Sequence, residues 1–207
     1  MFVSVFASIV ALWIGGIEEG WVESEPSSTG CEEGEDVGRY AGDWIVACNY
    51  LAEDNWRLRE ISNEHVNWYL YRSPSGRMSD RINGEVSPTG AGDSCEIFNF
   101  GMTPPRQWYY SGGEVRAAIH TTRVIDCARQ LDLRTYQVIV FDPDQPAVAC
   151  LIADLDAQLL DRPFERAQQI AEEFAVDWNC ATDETILFGN EQQSSLDEIL
   201  DARRTAR

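Results

Sequence analysis

No lysine occurs anywhere in the 207 residues; all sixteen basic residues are arginine. Lysine is normally among the commonest residues, so its absence marks a strong bias, of the kind that base composition or adaptation to high salt produces. It also closes whole classes of chemistry. A Schiff-base lysine, a phosphate-loop lysine and a serine–lysine dyad are all out of reach. Histidine is nearly as scarce, so His65 and His120 are the only imidazole bases. No G-x-S-x-G, H-E-x-x-H or C-x-x-C is present, which removes the usual spellings of a nucleophile elbow, a zinc protease and a close-paired zinc site. No internal repeat is apparent.

What is abundant is negative charge. The formal net charge is −19, from 35 acidic residues against 16 basic ones. Eight acids and no base fall between Glu18 and Asp36, and the remainder of the chain is acidic as well. Such a field repels phosphate backbones and anionic headgroups, so nucleic acid is excluded as a partner and membrane contact is confined to residues 2–17. Cations and basic partners are favoured instead, beside a simple solvating role for the acids.

The cysteines are Cys31, Cys48, Cys95, Cys127, Cys150 and Cys180. Their even count, wide spacing and lack of histidine company favour disulfides in an oxidising compartment over zinc, with buried free thiols as the alternative. Six cysteines allow 15 pairings; sequential pairing (31–48, 95–127, 150–180) is the simplest. The run FVSVFASIVALWIGGI, Phe2 to Ile17, is sixteen residues without a charge. As a helix it would span about 24 Å, short of a hydrocarbon core of about 30 Å. That length suits the apolar region of a signal peptide, although no base precedes it; an uncleaved anchor and a buried helix are the alternatives. Cysteines and leader together predict an extracytoplasmic protein, secreted or membrane-anchored.

The chain divides into residues 1–17 as signal peptide or anchor, 18–38 as an acidic linker, and 39–207 as a single α+β domain. Strands are predicted at Gly42–Cys48, at Val66–Arg72, with Val66, Trp68 and Leu70 on one face, at Cys95–Phe100, at Gln107–Tyr110 and at Glu114–His120. Asn83-Gly84 reads as a hairpin turn, and Ser111-Gly112-Gly113 as another. TTRVIDCARQL then reads as a short helix capped by Thr121 or Thr122. TYQVIVF is the clearest strand; DPDQP turns it, and AVACLIA pairs back. A helix begins at Pro163 with Asp161 as cap and Phe164, Ala167, Ile170, Ala171 and Phe174 as its apolar stripe, and a last one covers Ser195–Arg203. The predicted fold is α+β: an apolar N-terminal helix, an antiparallel aromatic-rich sheet in the first half and a strand–helix second half.

Three features could carry chemistry. TGAGDS, Thr89 to Ser94, resembles the signature of ribokinase-like sugar kinases, a resemblance confined to six residues. It implies that Gly90, Ala91 and Gly92 offer N–H groups to a phosphate while Asp93 deprotonates a hydroxyl. Such a loop runs into a helix, whereas CEIFNFGMTPP follows here, strand-like and then broken by two prolines. The competing reading is a turn that delivers Cys95 to a disulfide. Asp142 and Asp144, at the end of VIVFDPD, are candidate ligands for a divalent cation, Ca²⁺ first, with Asp154, Asp156 and Asp161 close behind; ordinary turn chemistry explains the same letters. His120 is the candidate catalytic base of a hydrolase.

Aromatics are the last feature. Trp68, Tyr69, Tyr71, Trp108, Tyr109 and Tyr110 include neighbours that must point to opposite faces of a strand. Unless their sheet is covered on both sides, some of them line a binding surface for a protein or carbohydrate partner. The sequence thus predicts a non-enzymatic binding or assembly protein that requires no cofactor. A secreted hydrolase using carboxylates or His120, with or without a divalent cation, and a membrane-anchored accessory subunit are the alternatives.

Overall fold

The structure is a computed structural model and describes residues 18–33, 39–40, 43–62, 67–80, 82–84, 98–126, 131–189 and 194–206. Residues 2–17, His65, Cys95, Cys127 and the Ser87–Ser94 loop with Asp93 lie outside the described residues. The elements begin with strands β1 (Glu19–Glu23), β2 (Ser27–Glu33), β3 (Arg39–Tyr40), β4 (Asp43–Trp44), β5 (Val46–Leu51), β6 (Arg57–Ser62), β7 (Asn67–Arg72) and β8 (Ile82–Gly84). Strands β9 (Phe98–Met102), β10 (Gln107–Ser111), β11 (Glu114–Asp126), β12 (Leu131–Phe141) and β13 (Ala149–Asp156) follow. Helix α1 (Pro163–Phe174), strand β14 (Ile186–Phe188) and helix α2 (Leu196–Ala206) complete them. The fold is mixed α+β and mostly antiparallel sheet. Among the described residues, no helix is long and apolar enough to cross a membrane.

Two sheets carry the architecture. The first has seven strands in the order β1-β10-β11-β12-β13-β14, with β9 also paired to β11, and the second has five in the order β2-β5-β6-β7-β8. Alternation along β12 shows how they stack. Val138 and Val140 pack with α1 and α2, while Ile139 and Phe141 pack with Leu58, Tyr69 and Tyr71 of the second sheet. The first sheet is therefore a middle layer, buried on both faces. That is why VIVF has no polar interruption: a strand covered on both sides has no face to give to water.

The helical layer follows from its sequence. Ala167, Ile170, Ala171 and Phe174 of α1 are buried at the expected i, i+3, i+4 spacing, and Trp178 beyond the helix is buried with them. Burying one such large side chain stabilises by about 1.5–3 kcal/mol. Ser195 and Glu198 form a reciprocal cap on α2: Glu198 N–H donates to Ser195 Oγ at 3.3 Å and Ser195 N–H to Glu198 Oε2 at 2.8 Å. Between the helices the chain adds β14, parallel to β13, so β13, α1 and β14 form a crossover unit.

Several expectations are corrected. Thr121 to Asp126 is not a helix but the second half of β11, a strand of thirteen residues. Its run of Thr121, Thr122, Val124 and Ile125 is β-branched, and pairing with both β12 and β9 decides in favour of extension. Within the predicted acidic linker, residues 19–23 and 27–33 are strands, β1 on the edge of the first sheet and β2 on the edge of the second. Asn83-Gly84 makes no turn; it lies in β8, with Asn83 opposite Trp68 and Gly84 opposite Asn67. The cap of α1 is Arg162 in a left-handed conformation (φ 51°) with no side-chain bond, rather than Asp161. The hairpin after β10 is as predicted, and positive φ at both Gly112 (63°) and Gly113 (79°) explains the two glycines.

Candidate functional site: an arginine-lined groove

The six aromatics expected to form a binding surface are all buried. Both faces of their sheets are covered where they sit, so opposite directions both lead inward. Phe141 is the hub of the sheet–sheet core, with ring centroids 4.9 Å from Trp56, 4.7 Å from Tyr71 and 6.0 Å from Trp108. Tyr109 points the other way, toward α1, and its ring lies 5.3 Å from that of Trp21, tilted by 38°. Two hydroxyl ends reach carboxylates: Tyr109 donates to Glu19 at 3.3 Å and Tyr110 to Glu53 at 3.1 Å. Burial raises both phenol pKa values, and the neighbouring carboxylates push the same way.

His120 is fully buried in the same core, between the rings of Tyr69 and Tyr71. Its Nδ1 lies 2.7 Å from the carbonyl oxygen of Thr103, so Nδ1 carries the proton and donates it there. Nε2 is then left to accept from the Tyr71 hydroxyl. Both nitrogens are engaged, and burial lowers the pKa to about 4 despite the Thr103 carbonyl. The geometry describes a neutral imidazole that pins the Thr103 loop to β11. Beside it, Gln137 faces the same side and donates to Asp154 Oδ2 at 3.0 Å. Burial raises the pKa of Asp154.

Asp142 and Asp144 lie in the turn that follows β12. Asp142 Oδ1 accepts from the backbone N–H of Asp144 and Oδ2 from Gln145 Nε2, each at 2.9 Å, so the carboxylate closes its own turn. The turn is also a junction between layers. Arg77, beyond β7, donates to the carbonyls of Pro143, Gln145 and Pro146 at 2.9, 2.6 and 3.2 Å. The Gln145 side chain joins the same turn to the segment after α1, donating to Trp178 O at 2.6 Å and accepting from Cys180 N–H at 2.8 Å. Among the described residues, no group of three His, Cys, Asp or Glu side chains could hold a metal ion.

An open groove of about 870 Å³ lies on the helix side of the first sheet. It forms because β11 and β12 are longer than the helix that covers them. Along their shared register the pairs run Ile119–Val138, Thr121–Tyr136 and Arg123–Arg134. The first pair lies in the core with α1, and the others emerge where α1 begins. Phe164, in the first turn, packs edge-on against Tyr136 at 5.5 Å and forms one wall. Thr103, Pro104 and Arg106 form the wall that His120 holds from behind. Glu23 and Glu25 stand at the rim, where Glu23 accepts from Gln107 at 2.6 Å and Glu25 pairs with the exposed Arg106 at 3.2 Å. Arg106, Arg123 and Arg134 thus gather around two aromatic rings on a chain of net charge −19.

Sequence reasoning missed this groove because Arg123 fell inside the segment read as a helix. The recoverable signal was the β-branched run from Thr121 to Ile125, which as a strand places Arg123 on the face of Ile119 and Thr121.

Two disulfides join described residues, Cys31–Cys48 across β2 and β5 and Cys150–Cys180 between β13 and the segment after α1. Both fall in the sequential pairing, and both suit an oxidising, extracytoplasmic setting. Comparison with known protein families, with curated proteins and with solved structures gave no match.

Proposed function

We propose that this is a non-enzymatic binding or assembly protein of an extracytoplasmic compartment, which holds an acidic segment of a protein partner in the groove between β11, β12 and α1. The observation that carries this reading is the direct opposition of Arg123 and Arg134 beside Tyr136 and Phe164. Guanidinium groups take a carboxylate through two parallel, charge-assisted N–H···O bonds, and two of them on neighbouring strands present such donors side by side. Aromatic rings beside arginines are the usual composition of a protein-binding centre. The disulfides support the compartment. A hydrolase has weaker support, because His120 is buried with both nitrogens bonded and Asp142 is held within its turn.

The test uses a fluorescein-labelled peptide of alternating glutamate and tyrosine, titrated by anisotropy. Binding should weaken at least tenfold in the double variant Arg123→Ser, Arg134→Ser and should fade as salt is raised. A peptide that does not bind, or binds the variant as well as the native protein, sinks the reading.

A further inference from the structure

A second arginine pair lies on the other outer side of the molecule. Register places Leu51, Arg57 and Arg72 in one row across β5, β6 and β7, and a bridge from Arg72 to Met78 extends it. Arg57 and Arg72 are directly opposed and exposed. The row faces away from the first sheet, because the alternate residues Leu58 and Tyr71 are the ones buried in the sheet–sheet core. At its ends Leu51 is 45% and Met78 47% exposed, two large apolar side chains left in water.

Arg72 is held in place. Its Nε donates to Gly76 O at 3.2 Å, and a Cβ at position 76 would come within 3.3 Å of its Nη2. Gly76 is at φ +91°, a conformation that also disfavours any side chain there. A guanidinium positioned by its own turn loses little freedom on binding. Two concavities flank the pair, one of about 420 Å³ containing Leu51 and Met78, the other of about 360 Å³ containing Ser73 and Ser75. The larger falls in the usual size range of small-ligand sites.

We propose that this row binds a small amphipathic anion: a carboxylate or phosphate headgroup between Arg57 and Arg72, carried on an apolar chain that covers Leu51 in the larger concavity. Guanidinium groups take either headgroup through two parallel N–H···O bonds. The site is independent of the groove on the first sheet.

Calorimetric titration tests it with four probes: decanoate and decyl phosphate below their micelle concentrations, decanol below its solubility limit, and inorganic phosphate. Decanoate, decyl phosphate or both should bind, and the stronger of the two identifies the headgroup. Affinity should fall at least tenfold in Arg57→Gln and in Arg72→Gln, and severalfold in Leu51→Asn. Arg106→Gln in the other groove should leave it unchanged. Arg57→Gln should melt no lower than the native protein, because it relieves a like-charge opposition, whereas Arg72→Gln also gives up the bond to Gly76 O. The proposal is overturned if neither amphiphile binds, if inorganic phosphate binds as tightly as decyl phosphate, if decanol matches decanoate, or if the glutamine variants retain full affinity.

Discussion

The middle sheet is met from its two sides by layers of different material. On the helix side the contact is almost entirely apolar: Val138, Val140, Ile152 and Leu155 against Ala167, Ile170, Phe174 and Leu200. On the other side the contact is aromatic and carries buried polar groups, with Tyr69, Tyr71, Trp108 and Phe141 around His120 and Gln137. An apolar interface requires only shape and area, whereas a polar one requires every donor and acceptor to find its partner. The first can therefore lose atoms and remain neutral to pH. The second ties stability to protonation.

The largest expected effect breaks the helix side. Phe174→Ala should lower unfolding free energy by about 3–5 kcal/mol, the usual cost of truncating a buried aromatic residue that neighbours cannot fully replace. Phe174 packs edge-on against Trp178 at 6.3 Å, so tryptophan fluorescence reports the loss directly. Urea unfolding gives the magnitude. A change below about 1 kcal/mol would mean that α1 adds little to the core.

Next in size is the pH dependence that only the other interface should show. His120 has a folded pKa of about 4 against 6.5 for a free imidazole. Between those values the unfolded chain binds the proton and the folded one does not. Its contribution is therefore complete above about pH 6.5 and is lost as pH falls toward 4, by about 3 kcal/mol in all. Asp154 acts in the opposite sense. Its raised pKa means that the folded state takes up a proton before the unfolded state does, so it offsets part of the loss at the acid end of the window. His120→Gln keeps one donor for the Thr103 carbonyl and one acceptor for the Tyr71 hydroxyl, and it cannot titrate. Unfolding curves at pH 7 and pH 5 should show native stability falling and the variant holding nearly constant. Phe174→Ala should keep the native slope, since the two residues lie on opposite faces of the sheet. Equal slopes in native protein and His120→Gln would remove His120 as the source.

The two sides were also unequally legible in the sequence. A helix announces its buried face by spacing, so Ala167, Ile170 and Phe174 could be read without knowing what they touch. A strand announces only that its neighbours alternate. For Trp108-Tyr109-Tyr110 the same letters fit one wet face or two covered ones, and the second sheet, which decides the matter, comes from residues far away in sequence. β11 was misread for a related reason: its partners β9 and β12 override a Thr-Thr pair that locally resembles a cap. The groove inherits both difficulties, because the pairing of Arg123 with Arg134 is a fact of register, and register is not local.

The smallest effect sharpens the comparison at the edge of the helical layer. Ser195→Ala removes the acceptor for the Glu198 N–H and should cost about 1 kcal/mol, with Ser195→Gly costing only a few tenths. Leu196 and Leu200 bury their side chains beside α1, so α2 belongs to the apolar interface even though its cap is exposed. An interface that relies on area alone should let its outer helix fray without disturbing the sheet. Amide exchange in Ser195→Ala should therefore quicken across α2 and stay as slow as native in β11, β12 and β13. Equal quickening in the helix and in those strands would show that the apolar side is bound into the same cooperative unit as the polar one, and that the two interfaces differ in chemistry but not in how they come apart.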